Sequence, residues 1–299
     1  MLSILIPVYN FDITAFVTEL HRLCEQEKIP FEIILLDDAS DEKFKIKNRL
    51  LQSLPNVTYN ELDKNIGRSA IRNKLAEIAQ FEYLLFADCD SKINDDKFIY
   101  RYVKNLSPYA VLYGGRNYEK TAPENPDYYL RWVYGVKRET IAAEKRSEKP
   151  WDSFMTNNFI IPKKIFNEIQ FEENIINGYG HEDTLFGLKL KERKTCIIHL
   201  DNPLCHIGLE TIDEFIAKTE NGIKNLFILY NKELIDNSVK LIRVFEKLQQ
   251  TKTTPFVANY FIKNQDKIKQ RLHKKRNTLK WFDMYKIGYL CALKHRLIK

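Results

Sequence analysis

Three short apolar runs in the first 90 residues stop on polar or acidic residues. Residues 3–8 stop on Tyr9-Asn10, 31–36 on Asp37-Asp38, and 83–87 on Asp88-Cys89-Asp90. Near-continuous apolar runs of this length are the mark of strands buried on both faces. Helical spacings separate them: Phe16, Val17, Leu20, Leu23 and Cys24, then a segment to about Leu54, then Ala70, Ile71, Leu75, Ile78 and Ala79 after Gly67. Two more strands are expected at 57–62 and at 110–113, before Gly114-Gly115. Strands alternating with helices imply a mostly parallel sheet with helices on both faces. In such sheets ligands bind outside the carboxyl ends of the strands. The acids at these run ends therefore gather along one edge.

Beyond residue 115 the pattern loosens. Residues 128–145 read as a helix carrying Trp132, 158–161 as a strand stopped by Pro162, and 195–200 as another strand. A helix over 182–193 is entered through Gly178-Tyr179-Gly180. From 211 onward the signal is helical only, so we expect a domain over 1–210 and a helical appendage over 211–299. Ten Gly and ten Pro in 299 residues leave little room for a disordered linker. The five cysteines form no CxxC pair, which argues against a disulfide framework or zinc knuckle and suits a reducing cytoplasm. The N-terminus lacks the basic start and cleavage site of a signal peptide, and no run reaches the roughly 20 apolar residues of a spanning helix.

Asp88-x-Asp90 is the first candidate for chemistry. In an extended segment residues two apart point to the same side, so two carboxylates face one point. They read either as solvated acids at a strand end or as oxygen ligands for a hard divalent cation. His206, after the turn Asp201-Asn202-Pro203, reads either as a hydrogen-bonded turn histidine or as a third ligand. A mixed nitrogen and oxygen set suits manganese at least as well as magnesium. His199 lies inside a strand and is the weaker candidate. Gly178-Tyr179-Gly180-His181 delivers Glu182 and Asp183 to a helix N-terminus, where acids serve as a cap or as a general base. Asn65-Ile66-Gly67-Arg68, with Arg72 and Asn73 beyond, reads as a solvated helix start or as a phosphate or base contact.

Taken together these segments resemble family 2 glycosyltransferases of the GT-A fold. Residues 3–10 are similar to that family's opening strand, Asp37-Asp38-Ala39-Ser40 to its DDGS, and residues 65–73 to its N-x-G-x-x-x-A-R-N. Asp88-Cys89-Asp90 is then the DxD motif. Residues 178–183 resemble the G-[WY]-G-x-E-D of chondroitin-polymerase-like and galactosyltransferase-like enzymes. The resemblance covers about residues 1–210. Ala39 departs from the usual Gly, and Tyr179 from the common Trp, which leaves the acceptor sugar open.

The resemblance implies transfer of a hexose or N-acetylhexosamine from a UDP-sugar to a glycan or lipid-linked glycan hydroxyl, with inversion at the anomeric carbon. It implies Mn2+, or Mg2+, on Asp88, Asp90 and His206, with Asp90 the more direct ligand. Pro7, Tyr9 and Asp38 would frame the base, and Arg68, Arg72 and Asp88 would complete the nucleotide site. Asp183 would be the base, and Glu182 would bind sugar hydroxyls. Trp151 reads as a packing residue or a sugar platform. A nucleotidyltransferase is disfavoured, because its glycine-rich N-terminal loop is missing here. A non-catalytic sugar- or nucleotide-sugar-binding protein of the same fold is the alternative.

The charge is uneven. Residues 263–299 hold 12 Lys/Arg against 2 Asp/Glu, whereas the whole chain is only +7. Leu272, Leu279, Trp281, Phe282, Tyr285, Ile287, Tyr289, Leu290 and Leu293 are interleaved with those charges. The tail reads as a packed helical appendage with a solvated basic face, or as a contact with an anionic membrane surface. No nucleic-acid motif accompanies it. The family resemblance implies a setting in bacterial surface-polysaccharide assembly, cytoplasmic and peripheral at the inner face of the plasma membrane.

Overall fold

The computed structural model describes residues 1–298 except Asn177 and Asp236. The chain folds into two compact units. Residues 1–119, 139–173 and 182–208 form the first, and 120–138, 174–181 and 209–299 the second. The second unit therefore takes in two earlier segments besides the C-terminal helices.

The first unit is built on strands β1 (Leu2–Val8), β2 (Phe31–Asp37), β3 (Val57–Glu61), β4 (Tyr83–Ala87), β5 (Ser91–Lys92), β6 (Ala110–Tyr113), β7 (Arg116–Asn117), β8 (Asn158–Pro162), β9 (Cys196–His199) and β10 (Leu204–His206). Seven of them form one sheet in the order β3-β2-β1-β4-β8-β6-β9. Only β8 runs against the rest, pairing antiparallel with β4 and β6. Alternation along β1 sends Ile4, Ile6 and Val8 into one core layer and Leu5 into the other. That double burial is why the strand carries no polar face. The second layer is aromatic-rich; Phe171 and Phe186 stack at 4.4 Å. The sheet order reverses at β1, which has β2 on one side and β4 on the other. This is a topological switch point, and it opens a crevice at the strand ends.

A second sheet, β5-β10-β7, is absent from the sequence reading, because two- and three-residue strands carry no periodicity. It pairs His206 with Ser91 in antiparallel register. The expected helix over 128–145 is instead three pieces: Tyr129–Tyr134, a π-helical stretch Gly135–Glu139, and Ala143–Ser147. Ala142 is extended at ψ 150°, which interrupts the helical ladder before the last piece.

The second unit holds the helices Ile212–Asn231, Lys240–Gln250, Thr254–Leu272 and Thr278–Lys294. Thr211 and Glu214 form a reciprocal capping box at the first. Apart from the partly buried Trp281, the tail aromatics are not at a surface. Phe282, Tyr285, Tyr289 and Leu290 are all under 5% exposed. Phe282 stacks on Phe215 at 5.1 Å, and Tyr285 packs edge-on to Phe261. Gly288 lets the two last helices close up; a Cβ there would lie 2.6 Å from Phe261. Among the described residues no helix is long and apolar enough to cross a membrane.

Candidate active site

The ends of β1 and β2 are tied together, the Asp38 N–H donating to the Val8 carbonyl at 2.8 Å. Beyond Pro7, the ring of Tyr9 is 53% exposed, an open flat surface at the switch point. The adjacent acids of β2 do different things. Asp37 is fully buried and accepts from the Ser40 N–H and the Tyr59 hydroxyl, so its role is to hold the turn. Asp38 accepts from the backbone N–H groups of Ile66 and Gly67, at 2.7 and 3.1 Å. Burial pushes its carboxyl up, and those two N–H groups oppose the rise. Each of its oxygens keeps a free lone pair for a further donor. Gly67 sits at φ +86°, which turns its N–H toward Asp38 and starts the helix Arg68–Ile78. Ala39 sits at φ +62°, where glycine is strain-free and alanine costs about 1 kcal/mol.

That helix supplies two arginines. Arg72 is 2% exposed and donates to Asp88 Oδ1 at 2.7 Å. Asp88 Oδ2 accepts from Arg116 at 2.9 Å. The carboxylate expected to bind metal is thus clamped between two guanidinium groups. Arg116 was not singled out from the sequence. Its signal is positional: it follows Gly114-Gly115 at the carboxyl end of β6, the same sheet edge. Arg116 also lies 3.6 Å from Glu139, which accepts from the Tyr118 hydroxyl. The Tyr118 ring meets His206 edge-on at 5.4 Å. Glu139 therefore ties together the groups behind Asp88 and those behind His206.

Asp90 and His206 are brought together. Asp90 precedes β5, which pairs with β10; Ile207 N–H donates to the Asp90 carbonyl, and His206 Nδ1 lies 3.3 Å from Asp90 Oδ1. Burial pushes the Asp90 carboxyl up, but His206, then Arg116 and Arg68, pull it well below the usual carboxylate range. Asp90 Oδ1 and both ring nitrogens of His206 are buried without a hydrogen-bond partner. Buried polar atoms of this kind need an explanation. A divalent cation taking one carboxylate oxygen and one imidazole nitrogen fits them. Gly208 leaves the room: a Cβ there would lie 2.7 Å from Asp90 Cβ. Among the described residues no group of three His, Cys, Asp or Glu side chains is placed to hold a metal ion. Asp90 and His206 face each other, whereas Asp88 faces its arginines.

Glu182 and Asp183 open the helix Glu182–Glu192. Glu182 is 7% exposed and accepts from Arg68 Nη1 at 3.0 Å. Burial raises its carboxyl, and the neighbouring Arg68 and Arg72 outweigh that and hold it below the ordinary value. Asp183 goes the other way, pushed up to about 6 by burial and by the Glu182 charge. Adjacent carboxylates with affinities for protons driven apart are the signature of divided roles. Arg68 and Arg72 thus bind the strand-end acids and the Glu182 end into one network. Two weaker candidates are structural. His199 accepts from Arg146 and contacts the Pro150 carbonyl, and burial lowers it to about 4. Trp151 donates to the Thr195 carbonyl and packs against the second core layer.

Within the second unit, the loop before Glu182 is clamped on helix Ile212–Asn231. Gly178, Gly180 and His181 all have positive φ. A Cβ on Gly180 would lie 2.9 Å from Gly222 Cα, and Asn225 donates to the Tyr179 carbonyl at 3.1 Å.

A family model described as glycosyl transferase family 2 matches residues 3–170. A hyaluronan synthase of Pasteurella multocida is 24% identical over 219 residues, covering 63% of this chain. The match covers 22% of that relative, so this chain spans about a quarter of its length. Among solved structures, the mannosyltransferase PcManGT of Pyrobaculum calidifontis, in complex with GDP-Man and Mn2+, superposes with a TM-score of 0.58 at 14% identity, over 99% of this chain and 86% of that one. S. aureus TarS in complex with UDP-GlcNAc gives 0.51 at 15% identity, over 99% and 91%. These structures share the GT-A fold with this chain.

Proposed function

Because the chain belongs to glycosyl transferase family 2, we propose that it moves a hexose or N-acetylhexosamine from a UDP-sugar to a glycan hydroxyl, with inversion. The reading is carried by one observation: Asp90 Oδ1 and both ring nitrogens of His206 are buried without a hydrogen-bond partner, beside an arginine-clamped Asp88 at the sheet's switch point. Tyr9 would stack on the uracil, with Pro7 shaping the pocket and an Asp38 lone pair accepting the imide N–H. Arg68, Arg72 and Arg116 would carry the diphosphate, with Asp88 holding the last two in position. Asp90 and His206 would hold Mn2+ or Mg2+, which supplies charge stabilisation to the leaving diphosphate. Asp183 would take the acceptor hydroxyl proton as that oxygen bonds to the anomeric carbon. The bond from that carbon to the diphosphate oxygen breaks on the opposite face. Glu182, fixed by Arg68, would orient a sugar hydroxyl. The setting proposed with this chemistry is surface-polysaccharide assembly on the cytoplasmic side, at the inner face of the plasma membrane. The support for UDP is indirect: UDP-GlcNAc is bound in the TarS complex, whereas PcManGT binds GDP-Man.

A thermal-shift titration with UDP, GDP, CDP and dTDP, each with Mn2+, Mg2+ or EDTA, tests the reading. We expect a metal-dependent rise with UDP; saturation at about 100 times Kd adds roughly 2.7 kcal/mol. Preference for another nucleotide would move the donor, and no response to any would favour a non-catalytic carbohydrate-binding protein. Glu139 gives a second expectation. A Glu139→Gln variant should weaken UDP binding about tenfold in titration calorimetry, roughly 1.4 kcal/mol, because Arg116 loses its charged brace. Unchanged affinity would show that Arg116 needs no such support.

A further inference from the structure

Helix Thr254–Leu272 carries a surface that the transfer chemistry does not use. It buries Thr254, Ala258, Phe261, Ile268 and Leu272 on one side. At about 100° per residue, Phe256, Tyr260, Lys263, Lys267 and Arg271 line up on the opposite side. Phe256 is 75% exposed and Tyr260 53%. Lys263, Lys267 and Arg271 are exposed as well, and past the helix end Lys274, Lys275 and Arg276 continue the run of exposed cations. The acid of this helix, Asp266, points well off the stripe.

The arrangement is unfavourable in water on two counts. Like charges four residues apart repel. An exposed phenylalanine ring gains nothing from burial. Among the described residues no ion pair relieves Lys263, Lys267, Lys274 or Arg276. The wider charge distribution points the same way. The second unit holds 23 Lys/Arg against 11 Asp/Glu, and the first holds 24 against 29.

We propose that this face docks on an anionic lipid surface. Phe256 and Tyr260 sit at the boundary between headgroups and acyl chains, and Lys263, Lys267, Arg271 and Lys274 lie over the headgroups. This deepens the membrane placement proposed above and rests on it, not on the transfer reaction. It also moves the contact away from the tail aromatics that the sequence suggested, because Phe282, Tyr285 and Tyr289 are buried inside the second unit. The adjoining aromatics select a membrane over a dissolved polyanion. A polyanion needs the cations alone, whereas two exposed rings at one end of the stripe need an apolar phase.

The test is co-sedimentation of the full chain with phosphatidylcholine vesicles with and without phosphatidylglycerol, at low and high salt. No donor or acceptor is present, so the result is independent of transfer activity. Binding is expected only with phosphatidylglycerol, and weaker in high salt. A Lys263→Glu/Lys267→Glu variant should lose more than tenfold in partitioning, since each cation near such a surface contributes on the order of fivefold. Phe256→Ser/Tyr260→Ser should lose binding too, whereas Lys232→Glu/Lys240→Glu, elsewhere on the second unit, should lose much less. All these side chains are exposed, so circular dichroism should show unchanged folding. No binding by the full chain, equal binding to neutral vesicles, or full binding by the Phe256/Tyr260 variant would each overturn the proposal. So would dextran sulfate binding that matches vesicle binding and ignores the two rings.

Discussion

An Asp183→Asn variant is expected to lose about three orders of magnitude in kcat, within the range a positioned general base contributes. Its affinity for UDP should not change. The expectation follows from how the two acids are separated. Arg68 holds Glu182 ionised, and that charge, added to burial, pushes Asp183 up to about 6. A carboxylate at that value is ionised at neutral pH and still basic enough to take a proton. Wild-type kcat/KM should therefore fall as pH drops through about 6, and the residual rate of the variant should lack that step. The same shift has a stability consequence of opposite sign. A raised carboxyl stabilises the folded state fully only below the ordinary carboxylate value, and that contribution is lost as pH climbs through about 6. Above it, the folded protein carries the strain of an ionised Asp183. Removing the charge should then stabilise the protein at neutral pH by roughly 1–3 kcal/mol, a rise of a few degrees in Tm. A variant that keeps a tenth of the wild-type kcat would remove Asp183 from the role of base. A variant that is inactive and less stable would point to simple misfolding.

An Asp90→Asn variant should lose the metal dependence of UDP binding and at least a hundredfold in kcat, on the order of 2.7–4 kcal/mol of transition-state stabilisation. The amide keeps the shape but offers a neutral oxygen, so His206 remains without its charged neighbour. Mn2+ binding followed by electron paramagnetic resonance should weaken without UDP present. That separates a ligand from a group that acts only in turnover. His206→Gln should show the same pattern to a smaller degree, because an oxygen donor remains. The converse variant, Asp88→Asn, should leave Mn2+ binding nearly intact and weaken UDP binding, because Asp88 spends both oxygens on Arg72 and Arg116. If Asp88→Asn and Asp90→Asn lose Mn2+ equally, both acids are ligands and Asp88 turns away from its arginines when metal binds.

Much of this protein could be read from local pattern. Strands buried on both faces must be apolar throughout, so β1, β2 and β4 stood out as runs, and their polar stops marked the edge where a parallel sheet binds ligands. The helices after residue 211 were legible for the same reason, through the 3.6-residue period of a one-sided face. What local pattern could not determine is which way a side chain turns. Asp88 and Asp90 are two residues apart and look equivalent. Only the fold, bringing Arg72 from one helix and Arg116 from another strand, turns the first to cations and leaves the second with His206. That partnership depends on strands of two and three residues, too short to show a period and held only by their pairing. The tail shows the same limit. Its composition announced aromatics and cations, and packing alone decided that Phe282, Tyr285 and Tyr289 go inside.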